Sequence, residues 1–250
     1  MDTSPLDCVS IEAAFLSALG LQEPRHAFQT YALSIDDDPA TQAFCDYDIV
    51  CDAIRIAKHT QIRYQGEFFN SFPGEHYRLL AGLLTVLRPE KLIDIGTFTG
   101  MSARMMLDFG NGNSKITTYD IIPWNQVDQG TVLSGDDFAE GRIHQFVHDL
   151  AKGNLWETHR PYFEQAGFIM LDGPKDDTFE TLMLQNLTSC HFQQPTFLFM
   201  DDIRFQNQLA NWRRIQSPKI DLTSFGHFSG SGLVNITEGL KLDSVQRRGA

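Results

Sequence analysis

Two kinds of apolar patterning take turns along this chain. One is the short, nearly unbroken run that marks a strand buried on both faces; the other is the three- and four-residue recurrence of a helix with one buried stripe. Residues 92–95, 167–171 and 195–200 are runs of the first kind, and 115–119 and 143–147 also read as strands. Between and before them come helical stretches. Tyr77, Leu80, Leu83, Leu84 and Leu87 form a stripe over residues 75–87, which Arg88-Pro89 closes because proline disfavours helical geometry before it. Met101, Met105, Met106 and Phe109 open a second helix, and residues 178–190 make a third. Strands alternating with helices predict an α/β fold with a parallel sheet covered on both sides. Residues 121–142 carry no assignable pattern. Leu233–Thr237 reads as a last strand, expected to run antiparallel to the rest.

The region before this core, residues 1–72, looks helical and is treated as an N-terminal extension, with residues 73–250 as the main domain. Val9–Leu19 predicts a helix stopped by Gly20, and Ala40–His59 predicts another. Asp36-Asp37-Asp38-Pro39 is expected to be a solvated turn capping the next helix rather than a metal loop. The aromatic turn Phe68–Gly74 is expected to be a packing plug rather than a lid.

Chemistry gathers where strands are expected to end. Asp94-Ile95-Gly96-Thr97-Phe98-Thr99-Gly100-Met101-Ser102 joins the first strand to a helix through a glycine turn, as in nucleotide-binding βαβ units. The glycines permit a sharp turn and close approach of a ligand, and the helix N-terminus offers unpaired N–H groups. Phe98 stands where a dinucleotide fingerprint needs a second glycine beside the pyrophosphate. That favours S-adenosylmethionine (SAM) over NAD. Asp120 ends the second strand about 20 residues later, placed to bond two ribose hydroxyls, and Ile121 after it is a further cofactor-site candidate. His148-Asp149 follow the third strand and are candidates for an adenine edge. Asp172 ends the fourth strand and Asp201-Asp202 end the fifth, with Lys175 close by. Carboxylates converging there repel unless something neutralises them, and a hard divalent cation, Mg²⁺ or Ca²⁺, would do so.

Composition narrows the field without choosing within it. A chain of 250 residues, 42% hydrophobic, buries a sizeable core. The net charge of −12 argues against nucleic acid or anionic membrane as the main partner. Cys8, Cys45, Cys51 and Cys190 are scattered without metal or redox spacing, which suits reduced thiols in a cytoplasmic protein. No signal peptide and no apolar run of membrane-spanning length is evident. Whether the chain forms a homodimer is left open.

Taken together, Asp94–Ser102, Leu171–Asp176 and Met200–Asp202 resemble the cation-dependent O-methyltransferases of the catechol and caffeoyl-CoA type. The likeness runs from about residue 74 to the C-terminus. It implies a Rossmann-like, doubly wound, seven-stranded, mostly parallel sheet; the N-terminal helices fall outside the likeness and are separately expected to cap the cofactor mouth. It matches Asp94, Gly96, Gly100 and Ser102 to the cofactor loop, Asp172, Asp201 and Asp202 to the metal ligands, and Lys175 to the catalytic base. The activity implied is transfer of a methyl group from SAM to a hydroxyl of a small molecule. Two departures stand out. Asp202 replaces the family's Asn, and the acid that meets a catechol's second hydroxyl falls at Gly232, so a catechol is not implied. A metal-free SAM methyltransferase and, more remotely, a dinucleotide-dependent oxidoreductase are the alternatives.

Overall fold

The computed structural model describes residues 38–63, 76–176, 178–205 and 208–243. Its centre is one seven-stranded sheet in the order β3-β2-β1-β4-β5-β7-β6. The strands are β1 (Lys91–Ile95), β2 (Lys115–Asp120), β3 (Ile143–Val147), β4 (Phe168–Leu171), β5 (Phe197–Asp201), β6 (Lys219–Asp221) and β7 (Ser231–Asn235). The first five are parallel, and β7 runs antiparallel to both β5 and β6. This is the doubly wound, mostly parallel architecture that the alternation of strands and helices predicts.

Side-chain alternation along the strands divides the core into two layers. Leu92, Ile116, Phe168, Met170, Phe197 and Phe199 face one side. There they meet α2 (Tyr47–His59), α3 (Tyr77–Leu87) and α4 (Met101–Phe109) through residues such as Val50, Leu83 and Met105. Ile93, Ile95, Ile169, Leu171, Leu198 and Met200 face the other. They pack on α6 (Leu155–Glu164), α7 (Thr178–Leu187) and α8 (Gln208–Arg214) through Phe163, Met183, Leu184 and Trp212.

Several boundaries differ from expectation. Residues 40–59 form two helices, α1 (Pro39–Gln42) and α2, rather than one. The break lets Phe44 and Tyr47 both bury, with their rings edge to face at 5.5 Å. Asp38 caps α1 through the Ala40 N–H at 2.9 Å, as expected, and also pairs with the fully buried Lys219 ammonium at 2.6 Å. Arg78 donates to the Ala57 and Lys58 carbonyls at 3.0 and 2.6 Å, and Asn235 donates to Asp46 at 2.8 Å. Residues 38–63 are thereby fastened to α3 and to the β6–β7 edge. The expected helix at 9–19 and the aromatic turn at 68–74 lie outside the described residues. Within residues 121–142 a short α5 (Gly135–Ala139) begins at a capping box between Ser134 and Asp137. The antiparallel strand starts two residues earlier than predicted, at Ser231, and β6 was not anticipated.

Candidate active site

The strand order reverses between β1 and β4, and the helices that follow them leave to opposite faces of the sheet, α4 to one and α7 to the other. A crevice opens beyond the carboxyl ends of such a pair. It is enlarged here into a cavity of about 720 Å³, within the range of small-molecule sites. Gly96 makes the crossing possible. Its φ is +100°, and a Cβ there would stand 1.9 Å from the Asp172 carbonyl oxygen. The close approach that a Cβ would block is therefore to the backbone of β4's end, a packing constraint beside the cavity-facing role expected of this glycine. Gly100 at φ +81° likewise makes room for the Leu133 side chain, 2.5 Å from where its Cβ would be.

The cavity wall contains Gly96, Phe98, Asp120, Ile121, His148, Asp149 and Asp172 from the expected set. Asp94, Gly100 and Ser102 are not part of it. Asp94 lies fully buried beneath the turn, with its Oδ2 accepting from Thr118 Oγ1 at 2.7 Å. Burial pushes its carboxyl up to about 7, against the opposing pull of the Ser102 and Thr118 hydroxyls. This acid holds β1, β2 and the start of α4 together from inside.

Asp120 faces the cavity with both oxygens already oriented. Oδ2 accepts from the Phe98 N–H at 2.8 Å, and Oδ1 accepts from the Ile121 and Ile122 N–H groups at 2.7 and 3.0 Å. A carboxylate has about four acceptor positions, so further hydrogen bonds can still be taken. Ile121 is 67% exposed, and Phe98 and Ile122 are also exposed, which gives the rim an apolar surface suited to a flat ring. His148 is fixed from behind: its Nδ1 lies 2.8 Å from His159 Nε2, and His159 Nδ1 lies 3.2 Å from the buried Tyr119 hydroxyl. Burial, then the neighbouring His148, lowers the His159 pKa.

Asp172, in the cavity wall, also belongs to a group of carboxylates. Asp172, Asp201 and Asp202 each place an oxygen within 4.8 Å of the others. Asp202 points into this group: Ser229 Oγ donates to its Oδ1, and its Oδ2 lies 3.4 Å from Lys175 Nζ. Lys175 Nζ also donates to Asp172 Oδ1. Burial alone would lower the Lys175 pKa; the Asp172 and Asp202 carboxylates outweigh it and raise the pKa instead. The base expected from the motif is thus held here as an ammonium. Burial raises the Asp172 pKa, with Lys175 opposing and Asp201 adding. Asp202 moves the other way: burial is outweighed by His227, Ser229 and Lys175, and its carboxyl falls well below the usual range. Glu180, buried in the first turn of α7, accepts from the Lys175 N–H at 2.9 Å and fixes the loop.

Backbone strain concentrates at the same place. Of the four described non-glycine residues with positive φ, Phe98, Lys175 and Asp202 all border the site, and Arg88 is the fourth. Such conformations cost on the order of 1–3 kcal/mol each and persist where the surroundings enforce them.

Sequence reasoning missed Phe179 and Leu182 of α7, which close the cavity's apolar side. It also missed two histidines. His76 directly precedes α3 and is buried, and His227 lies in the loop between β6 and β7; both approach Asp201. Nothing local in the sequence marks either one, because each is far along the chain from the acids that it meets.

No protein-family model matches the chain. No curated protein matches it either. Solved structures do match, and the three that follow are methyltransferases or cofactor-bound proteins. One is a methyltransferase from Geobacter sulfurreducens, 16% identical, with a TM-score of 0.47 over 78% of this chain and 90% of that one. Rv0187 from MTB, in a cofactor-bound form, is 14% identical, with a TM-score of 0.46 over 95% of this chain and 99% of that one. MycE, a methyltransferase from the mycinamycin biosynthetic pathway in complex with Mg and SAH, is 16% identical, with a TM-score of 0.39 over 62% of this chain and 37% of that one. At these identities and scores the likeness carries no functional argument.

Proposed function

We propose that the protein is a SAM-dependent O-methyltransferase that acts on a hydroxyl of a small molecule, assisted by a divalent cation. The observation that carries this reading is the double position of Asp172. Its side chain belongs to the wall of the cavity that Asp120 faces, and it is also a member of the carboxylate group around Lys175. A donor bound in the cavity and an acceptor bound at the carboxylates would meet at that residue.

The residues present suit both groups. Asp120, braced by three backbone N–H groups, is a rigid acceptor for vicinal hydroxyls. Ile121 and Phe98 supply apolar cover, and His148 and Asp149 supply polar edges. Phe98 at the second-glycine position leaves a pyrophosphate no glycine backbone to approach, which disfavours a dinucleotide. Asp172, Asp201 and Asp202 would hold the cation, and the buried Asp201 Oδ1, which accepts no hydrogen bond among the described residues, fits that role. A bound cation would lower the pKa of a coordinated hydroxyl and fix its position. Lys175 is close enough to that point to take a proton once its carboxylate partners are neutralised. Orienting donor and acceptor at one point is worth at best about 7–11 kcal/mol of barrier. Gly232 backs onto the Trp212 ring, 2.5 Å from where a Cβ would be, so no acid can stand there for a catechol's second hydroxyl.

Calorimetric titration with SAM, S-adenosylhomocysteine and NAD, each with and without Mg²⁺, tests the reading. The expectation is binding of the first two and not of NAD, together with labelled methyl transfer to a panel of hydroxylated small molecules. NAD binding without SAM binding would overturn it.

A further inference from the structure

The carboxylate group has a side that Lys175 does not reach. Asp201, at the end of β5, is 6% exposed at its side chain, and its Oδ1 accepts no hydrogen bond among the described residues. Two imidazoles are presented to that oxygen. His76 Nδ1 lies 3.2 Å away and His227 Nδ1 lies 3.9 Å away, and His227 Nδ1 is also 3.6 Å from Asp202 Oδ1. One nitrogen from each histidine and one Asp201 oxygen all fall within 4.8 Å of one another. We propose that His76, His227 and Asp201 form a mixed nitrogen–oxygen cation site that selects a first-row transition ion, such as Mn²⁺, Fe²⁺, Co²⁺ or Zn²⁺, over Mg²⁺ or Ca²⁺.

Three physical arguments support this. The first is spacing. Donors bonded to one ion at about 2.0–2.2 Å stand roughly 3–3.6 Å apart, so the observed separations need only small closure. The second is charge. Lys175 contacts Asp172 and lies 3.4 Å from Asp202, so the all-carboxylate corner already has an internal cation. Lys175 makes no ion pair with Asp201 among the described residues and acts on it only at longer range, and a buried carboxylate oxygen without a donor is costly. The third is ligand type. Imidazole is the common ligand of Zn, Fe, Co and Ni, and it adds little affinity for Mg²⁺ or Ca²⁺, which prefer oxygen. His227 Nδ1 is shared with Ser229 Oγ, which lies 2.6 Å away and donates to Asp202, so an ion that takes this nitrogen displaces that contact.

The inference goes beyond the proposed function by adding a second cation position that shares Asp201 with the all-carboxylate one, and it can be tested without any methyl transfer. Metal-free full-length protein would be titrated separately with Co²⁺, Zn²⁺ and Mg²⁺ by calorimetry, with Co²⁺ also followed by its visible d–d bands. Co²⁺ and Zn²⁺ should bind at least about tenfold more tightly than Mg²⁺. His227→Ala should weaken Co²⁺ by about tenfold or more and change Mg²⁺ affinity little. Because His76 is buried and its replacement can compromise folding, the wild-type protein supplies an independent measurement. Proton NMR of the Co²⁺ form should show hyperfine-shifted, exchangeable imidazole N–H resonances. Equal affinity for Co²⁺ and Mg²⁺, unchanged Co²⁺ binding in His227→Ala, or absence of the shifted imidazole signals would each overturn the proposal. A parallel SAM titration without metal keeps the two ideas apart: lack of SAM binding would count against the methyltransferase, not against this site.

Discussion

Asp94→Asn tests how the glycine turn is built. Asp94 belongs to the cofactor motif by sequence, yet it is fully buried, with one oxygen on Thr118 and the other accepting no hydrogen bond among the described residues. Its carboxyl is raised from 3.8 to about 7, first by burial. Between these two values the folded protein binds more protons than the unfolded chain. Unfolding free energy therefore falls as pH rises through this window and levels off above about 7. The full cost of ionising the group is on the order of 4 kcal/mol, and about 2.5 kcal/mol of it develops between about pH 5 and pH 8. An asparagine has nearly the same shape and can still accept from Thr118, but it never ionises. Near pH 5 the variant should lie close to wild type. By pH 8 it should have gained about 2.5 kcal/mol relative to wild type, read as a shift in the urea midpoint at unchanged slope. SAM affinity should stay within about threefold, because Asp94 is not in the cavity wall. Parallel stability profiles for the two proteins would refute the buried-acid argument. A tenfold loss of SAM affinity in Asp94→Asn would mean that the acid serves the ligand after all.

Further outcomes follow from the same geometry. Asp120→Ala should weaken SAM about ten- to a hundredfold by calorimetry, the cost of hydrogen bonds to a charged acceptor; unchanged affinity would remove Asp120 from the site. Gly96→Ala should destabilise by about 2–4 kcal/mol in chemical denaturation, since its Cβ would meet the Asp172 carbonyl at 1.9 Å in a positive-φ backbone; a fully stable variant would contradict that contact. Lys175→Ala should lower turnover by about 10²–10⁴ while SAM still binds, and full activity would assign the proton to another group. EDTA should abolish methyl transfer and leave SAM affinity essentially unaltered, whereas activity that survives EDTA would favour a metal-free mechanism.

Much of this architecture was legible in the chain, for reasons that are local. β1, β4 and β5 are largely apolar runs because both of their faces are covered, and burial on two sides leaves a mark that neighbours in sequence carry. Arg88-Pro89 ends α3, and Gly96 and Gly100 bend the turn, because φ constraints act on single residues. The acids at strand ends were visible for the same reason, since a parallel sheet brings all its carboxyl ends to one edge whatever the loops do. What the chain did not disclose depends on residues brought together from far apart. β6 is three residues long and becomes a strand through its pairing with β7. That Gly96 must also make room for the passing backbone of β4's end could not be read from its own neighbours in sequence. Asp94 looked like a cofactor acid, yet the register of β1 against β2 turns it onto Thr118 inside the fold. His76 and His227 carry no motif: one precedes a helix, the other sits in a loop, and folding alone sets both against Asp201. Chain-local constraints wrote the sheet and its polar edge, while the packing of distant segments decided which polar side chains face the cavity, which gather together and which turn to the interior.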